Sequence, residues 1–311
     1  AYVAIKYNYC KPVIEEHEKS FVDAKELRHS LIEHIQKNEL YVGNDMCLGK
    51  EKNGILLYGT NAVGKTSLIR AVGISIILAQ SGMYVPCSEF TYCPYKSIYS
   101  RILNHDNLFR GLSTFAVEMS ELRVILNDAD ENSLILGDEL CSGTEMQSAL
   151  GIFTAGLIHL HEKMSSFIFA THFHEIVDLD EVKSLDKICF QHLTVHYNYE
   201  TGLLEYDRKL KDGSGERVYG LEVCKSLYMP NQFIEKAIEI RNKYYPETQG
   251  YLSYKPSKYN KNVLRGMCVR CNKKISEETH HKYQQKDADS AGFIGSFHKN
   301  HSANLEVLCE E

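Results

Sequence analysis

A short apolar run closed by glycine, with a glycine, a lysine and a threonine at fixed distances behind it, constrains this chain most. Residues 54–72 read GILLYGTNAVGKTSLIRAV. The apolar half reads as a buried strand of a parallel sheet, because it is continuous rather than alternating. KTSLIRAVGISIILAQ then runs at helical length to Ser81–Gly82. Between them GTNAVGKT satisfies G-x-x-x-x-G-K-[ST] at every position, from Gly59 through Gly64, Lys65 and Thr66. The glycines let the backbone curl until its N–H groups face phosphate oxygens, and the helix presents its positive end to them. Lys65 is placed to reach the outer phosphates and Thr66 to offer its hydroxyl to Mg²⁺. Many proteins hold phosphate this way, so the loop predicts a nucleotide and leaves the reaction to the rest of the chain.

A second apolar strand, SLILGDEL, delivers Asp138 and Glu139 side by side about seventy residues later. Asp138 is expected to hold Mg²⁺, directly or through water. Glu139 is expected to orient or deprotonate the attacking water, since phosphoryl transfer is mostly positioning and charge neutralisation. A third strand, SFIFATHFHE, ends at Thr171–His172, and a histidine there can contact the terminal phosphate or the water. Helical stretches are expected near Ala24–Gln36, Glu118–Asp128 and Met146–His161. The alternation of strand and helix predicts an open α/β sheet with its site at the C-terminal ends of the strands. ETGLLEYDRKLKDG reads as a hairpin, and residues 219–245 read as two helices broken at Met229–Pro230.

With 311 residues and a hydrophobic share of 43%, the chain has room for two domains with a core. A net charge of −6 excludes a uniformly basic nucleic-acid coat. The charge is uneven, however. Between Tyr254 and Lys274 stand Lys255, Lys258, Lys261, Arg265, Arg270, Lys273 and Lys274 with no acidic residue, a run suited either to phosphates or to a solvated linker. No apolar stretch reaches the ~18–20 residues that span a bilayer, and no secretion signal opens the chain. It starts at Ala1 without Met, as a fragment of a longer protein would. Of ten cysteines only Cys268 and Cys271 form a C-x-x-C pair, which predicts an intracellular, reducing compartment and one metal site.

From about YNYCKPVI to AIEIRNKY the order of motifs resembles the C-terminal ATPase domain of the MutS DNA mismatch-repair proteins. AQSGMYVPCSEF resembles the family's A-Q-x-G-x-x-V-P-A segment, and LSTFAVEMSEL its S-T-F-x-x-E-M signature. SLILGDELCSGTEM resembles its Walker B strand and D-loop, FATHFHEI its T-H-x-H-E-L switch, and VYGLEVCKSLYMPNQFIEKA its closing helix pair. An SMC-type chromosome ATPase would instead show L-S-G-G at the signature, with long heptads beside it. The resemblance implies an ABC-type fold, a homodimer sharing two nucleotides across its interface, ATP and ADP as ligands, and duplex DNA with mismatches as partner. It implies that Asn61, Gly64, Lys65, Thr66 and Ser67 hold the nucleotide and that Tyr41 stacks on adenine. By the same resemblance Gln80 lies in the Q-loop segment, Ser113 reaches the partner's ATP, and His172 is the switch histidine. Two departures stand out. The family's D-E-L-G-R-G-T is here Asp138-Glu139-Leu140-Cys141-Ser142-Gly143-Thr144, and its Met-Gly in the P-loop is here Ala62-Val63. The mismatch-reading domain and clamp helices of the family have no counterpart in the chain.

The last fifty residues have a separate logic. Cys268, Cys271 and Cys309 offer three positions around zinc. With His280–His281 and NLEVLC they resemble the HNH endonucleases, C-x-x-C…(D/E)-x-H-H…N-L-x-x-L-C-x-x-C-H. The resemblance implies that His280 binds a catalytic divalent metal, that His281 activates water against a phosphodiester, and that Asn304 holds the loop orienting His281. His298 and His301 are further candidates. The other reading of this tail is a zinc knuckle that binds DNA or protein without cutting. The fusion resembles the MutS subfamily of giant viruses and octocoral mitochondria, and implies a mitochondrion or a viral replication compartment in host cytoplasm. The expected fold class is therefore α/β: an ABC-type P-loop ATPase domain with a C-terminal helix pair over 1–245, a linker over 246–262, and a small zinc-stapled ββα-metal unit, C-terminally incomplete, over 263–311.

Overall fold

A computed structural model of the chain describes residues 2–36, 40–60, 63–102, 114–141, 143–198, 203–215, 220–244, 257–260, 269–270, 276, 278–295 and 297–309. They form two compact units, Ala1–Val195 with Tyr206–Glu216, and His196–Glu205 with Arg217–Glu311.

The first unit is built on a six-stranded sheet. Its strands are β4 (Gly54–Tyr58), β6 (Ser97–Arg101), β7 (Ser133–Asp138), β8 (Ser166–Ala170), β9 (Ile188–Asn198) and β10 (Leu203–Asp212), in the order β10-β9-β4-β8-β7-β6. The pairs β4–β8, β4–β9, β7–β8 and β6–β7 are parallel. Strands β4, β7 and β8 are buried along their whole lengths, which explains their continuous apolar runs. On one face Leu56, Tyr58, Ile135, Phe167 and Phe169 pack with Phe153 and Leu157 of α5 (Met146–Glu162). Leu136, next to Ile135, turns to the other face. There Gly73 of α3 (Lys65–Gln80) comes so close that an added Cβ would lie 2.7 Å from it. Helix α3 ends as its sequence predicts: Gly82, at φ +73°, donates its N–H to Ala79 O at 3.0 Å.

The helix expected over Ala24–Gln36 is corrected. Phe21–Leu27 is strand β2, and only Ile32–Ile35 is helical, as α2. Alanine, lysine, glutamate and leucine favour helix locally, but Phe21, Val22 and Ala24 are buried in a second sheet. That sheet has the order β1-β5-β2-β3, with β1 Val13–Ile14, β3 Asn44–Leu48 and β5 Glu89–Cys93. Its antiparallel neighbours β3 and β5 satisfy the β2 backbone on both edges, and Glu26 at φ +50° marks a register shift against β3.

In the second unit α7 (Gly220–Ser226) and α8 (Asn231–Tyr244) are separated at Tyr228–Pro230, with Tyr228 at φ +56°. Farther along, β11 (Glu278–His281) pairs antiparallel with β14 (Leu305–Leu308), and β12 (Phe293–Ile294) with β13 (Phe297–His298). Among the described residues of 257–309 only 3₁₀ turns accompany these strands, so the helix of the expected ββα unit is not among them.

Candidate nucleotide and phosphodiester sites

The nucleotide-type site forms where β4, β7 and β8 end. Gly59 (φ +143°) and Gly64 (φ +112°) bracket the loop, in conformations that L side chains rarely adopt. Lys65 is 5% exposed and donates from Nζ to Gly59 O at 2.6 Å and Thr60 O at 3.2 Å. Burial pulls its pKa down, while Glu139 and Asp138 oppose that shift. Thr66 Oγ1 donates to Asp138 Oδ2 at 2.5 Å, joining the start of α3 to the end of β7. Glu139 follows at φ +53° and donates its N–H to Ala170 O at 2.9 Å, so the ladder with β8 continues one residue past the strand. Its Oε1 then lies 2.7 Å from His172 Nε2. Five residues from three separate stretches, 65–66, 138–139 and 172, thus gather because parallel strands end together.

Tyr41, Gly64 and Ser67 line a cavity of about 350 Å³ with Val63, Leu193 and Arg208. Burial raises the Tyr41 phenol's pKa. Asn44 braces the cavity: its Nδ2 donates to Arg208 O at 3.0 Å and its Oδ1 accepts the Leu210 N–H at 2.7 Å. Nothing local in the sequence marks Leu193 or Arg208, since they reach Tyr41 only through strand packing, whereas Asn44 follows it by three residues.

Gln80 stands apart from the other candidates. It ends the 16-residue α3, on the order of 22 Å along the axis from Lys65 at 1.5 Å per residue. Its Nε2 donates to Tyr95 O at 3.0 Å and its Oε1 accepts the Tyr95 N–H at 2.9 Å. It therefore clamps the backbone before β6. Asn61 and Ser113 lie outside the described residues.

In the second unit His281 Nε2 lies 3.0 Å from Asn300 Oδ1, and Gln285 Nε2 lies 3.0 Å from His281 Nδ1. With the two amides oriented so, Nε2 donates to Asn300 and Nδ1 accepts from Gln285. The Tyr259 ring meets the imidazole edge-on at 4.4 Å. Asn304 is buried; its Oδ1 accepts the Tyr283 N–H at 2.9 Å and its Nδ2 donates to Lys299 O at 2.7 Å. It thus ties the exit of β11 to the turn that carries Asn300. His280 points to the other face of β11, where its Nε2 is 3.2 Å from Glu278 Oε2. His298 and His301 serve turns, each accepting a backbone N–H at 3.2 Å, from Asn300 and Ala303. Val269 donates to Val307 O at 3.0 Å, which sets it beside the strand that ends before Cys309. Cys268 and Cys271 lie outside the described residues. Among the described residues no three His, Cys, Asp or Glu side chains gather as a metal site.

Residues 55–244 match MutS domain V. The chain belongs to the MutS family. It is 38% identical to a mutS homolog of Acanthamoeba polyphaga mimivirus, over all of this chain and 32% of that protein. It is also 38% identical to the mitochondrial DNA mismatch repair protein mutS homolog of Sarcophyton glaucum, over 87% of this chain and 28% of that one. The DNA mismatch repair protein MutS of Staphylococcus epidermidis is 34% identical over 82% and 28%. The MutS-family chain therefore spans about a third of the length of the curated relatives it matches. No helix among its described residues is long and apolar enough to cross a membrane.

Proposed function

We propose that this chain is the ATP-hydrolysing motor of a DNA mismatch-repair protein, working as a homodimer on mismatched duplex DNA. The observation that carries the reading is the Thr66–Asp138 contact at 2.5 Å, set between Lys65 and the Glu139–His172 pair. A hydroxyl and a carboxylate in contact, at the start of a helix and the end of a strand, fit Mg²⁺ as well as they fit each other. Bound there, Mg²⁺ supplies charge neutralisation to the phosphates. Lys65 exchanges two loop carbonyls for phosphate oxygens, and the N–H groups at the start of α3 receive the rest of that charge. Glu139 takes or orients the proton of the attacking water, with His172 holding its carboxylate. Tyr41 faces the base, and Ser113 is assigned to the partner's nucleotide. Phosphate release from ATP should need Mg²⁺ and stop with EDTA. Protein that neither binds nor cleaves ATP with Mg²⁺ present would remove the motor assignment.

The tail is assigned as an HNH endonuclease. Supporting it is the way Asn300 and Gln285 hold the His281 imidazole in place, as a positioned base requires; Gln285 gives up Nδ1 when that nitrogen takes a proton from water. The match to the mimivirus protein also runs over the whole chain, whereas MutS domain V ends at residue 244. His280 is assigned the catalytic divalent metal, and Cys268, Cys271 and Cys309 a structural zinc. The sources of the mimivirus and Sarcophyton relatives are the reason to place the protein in a viral replication compartment or a mitochondrion. His281→Ala should nick supercoiled plasmid about 10²-fold more slowly than the intact protein, in Mg²⁺ or Mn²⁺. Equal nicking by both proteins, or none by either, would make the tail a binding module.

A further inference from the structure

The proposed chemistry leaves a buried carboxylate unused. Glu118 lies on α4 (Thr114–Asp128) and is 5% exposed. Its Oε1 accepts the backbone N–H of Cys141 at 2.6 Å. Cys141 holds φ +65° and Glu139 φ +53°, two non-glycine residues in the left-handed region within three positions. The Cβ of Cys141 makes the left-handed turn harder to hold than glycine would. Two backbone donors fix the turn. The Glu139 N–H is held by Ala170 O at 2.9 Å, and the Cys141 N–H is held by Glu118. Between these anchors the Glu139 carboxylate meets His172. Past them, Gly143 passes so near α4 that an added Cβ would lie 3.3 Å from Phe115 Cβ. Burial pushes the Glu118 carboxyl up, and the Cys141 N–H and Arg101 pull it back. The Cys141 N–H is thus both the partner that offsets this burial and the group that Glu118 holds in place.

We infer that Glu118 is a positioning residue for ATP hydrolysis: by accepting the Cys141 N–H it holds the 138–141 turn in the left-handed shape that aims Glu139. This rests on the ATPase reading of the site. The anchor compensates for a side chain at a position that favours glycine, so its importance should fall when glycine is put there.

The test measures kcat and KM for ATP in the full-length protein, with Glu139→Ala alongside. Glu118→Met keeps the bulk and loses the acceptor. It should lower kcat about 10- to 100-fold with KM within about twofold, because a small misplacement of a catalytic group costs that much. Glu118→Gln keeps an acceptor oxygen and should stay within about threefold of wild type. Adding Cys141→Gly to Glu118→Met should restore most of kcat, since glycine takes φ +65° without a steric cost. Normal kcat in Glu118→Met, an equal loss in Glu118→Gln, or a loss that Cys141→Gly does not repair would each overturn the inference. If Glu118→Met does not fold, Glu118→Asp, one methylene short of the contact, takes the same test with the same outcomes. Full activity in Glu139→Ala would overturn the ATPase assignment itself, and the inference with it.

Discussion

Glu139→Ala is expected to bind ATP within a few-fold of wild type and to hydrolyse it about 10³-fold more slowly, the range for losing a positioned general base. The asymmetry follows from where the residue sits. Lys65, Thr66 and Asp138 stand around the glycine loop proposed to hold the phosphates and are untouched by the change. Glu139 stands past them, one residue beyond β7, with its carboxylate 2.7 Å from His172. In the proposed mechanism it acts on water rather than on nucleotide, so its loss belongs in kcat and not in affinity. Binding would be followed by titration with a fluorescent ATP analogue and chemistry by phosphate release in a single turnover. Normal turnover in the variant would remove Glu139 from the path of the water.

The second large effect is expected at Lys65. Lys65→Met retains the buried stem and removes the ammonium. ATP binding should weaken by about 10² or more, and turnover should fall by about 10³, because the outer phosphates lose their fixed cation in a site sheltered from water. The nucleotide-free fold should not suffer equally. Burial lowers the Lys65 pKa, so at neutral pH the charged form is disfavoured in the folded state relative to the unfolded one. That penalty fades only as pH rises between the folded and the unfolded values. Removing the charge relieves it, while Gly59 O and Thr60 O lose their donor. Stability by urea denaturation should therefore remain within about 1 kcal/mol of wild type. A protein that melts far earlier would mean that Lys65 braces the loop structurally, and the loss of ATP binding would then say little about phosphate.

Much of the nucleotide site was legible because its residues belong to local motifs. A glycine loop between strand and helix carries Gly59, Gly64, Lys65 and Thr66, and strand ends carry Asp138, Glu139 and His172. Each pattern reflects a backbone requirement, so each survives in one dimension. The surroundings of Gln80 were not legible in the same way. It sits in a segment that resembles a nucleotide-contacting one, and its amide nitrogen and oxygen both bond the Tyr95 backbone, at the far end of the helix that Lys65 begins.

By itself the sequence determined the alternation of buried strands and helices, the glycine loop between β4 and α3, the acidic pair at the end of β7, the histidine after β8 and the paired helices after Gly220. All of these rest on interactions within a few residues of one another. Only the tertiary structure decided the rest. It made a strand of Phe21–Leu27, because two neighbouring strands outweigh local helix preference. It brought Leu193 and Arg208 around Tyr41, and it turned Glu118 from a helix onto the Cys141 N–H. Such contacts join residues up to 167 positions apart, as Tyr41 and Arg208 are, and no local pattern of polarity or propensity encodes which partner a side chain meets at that range.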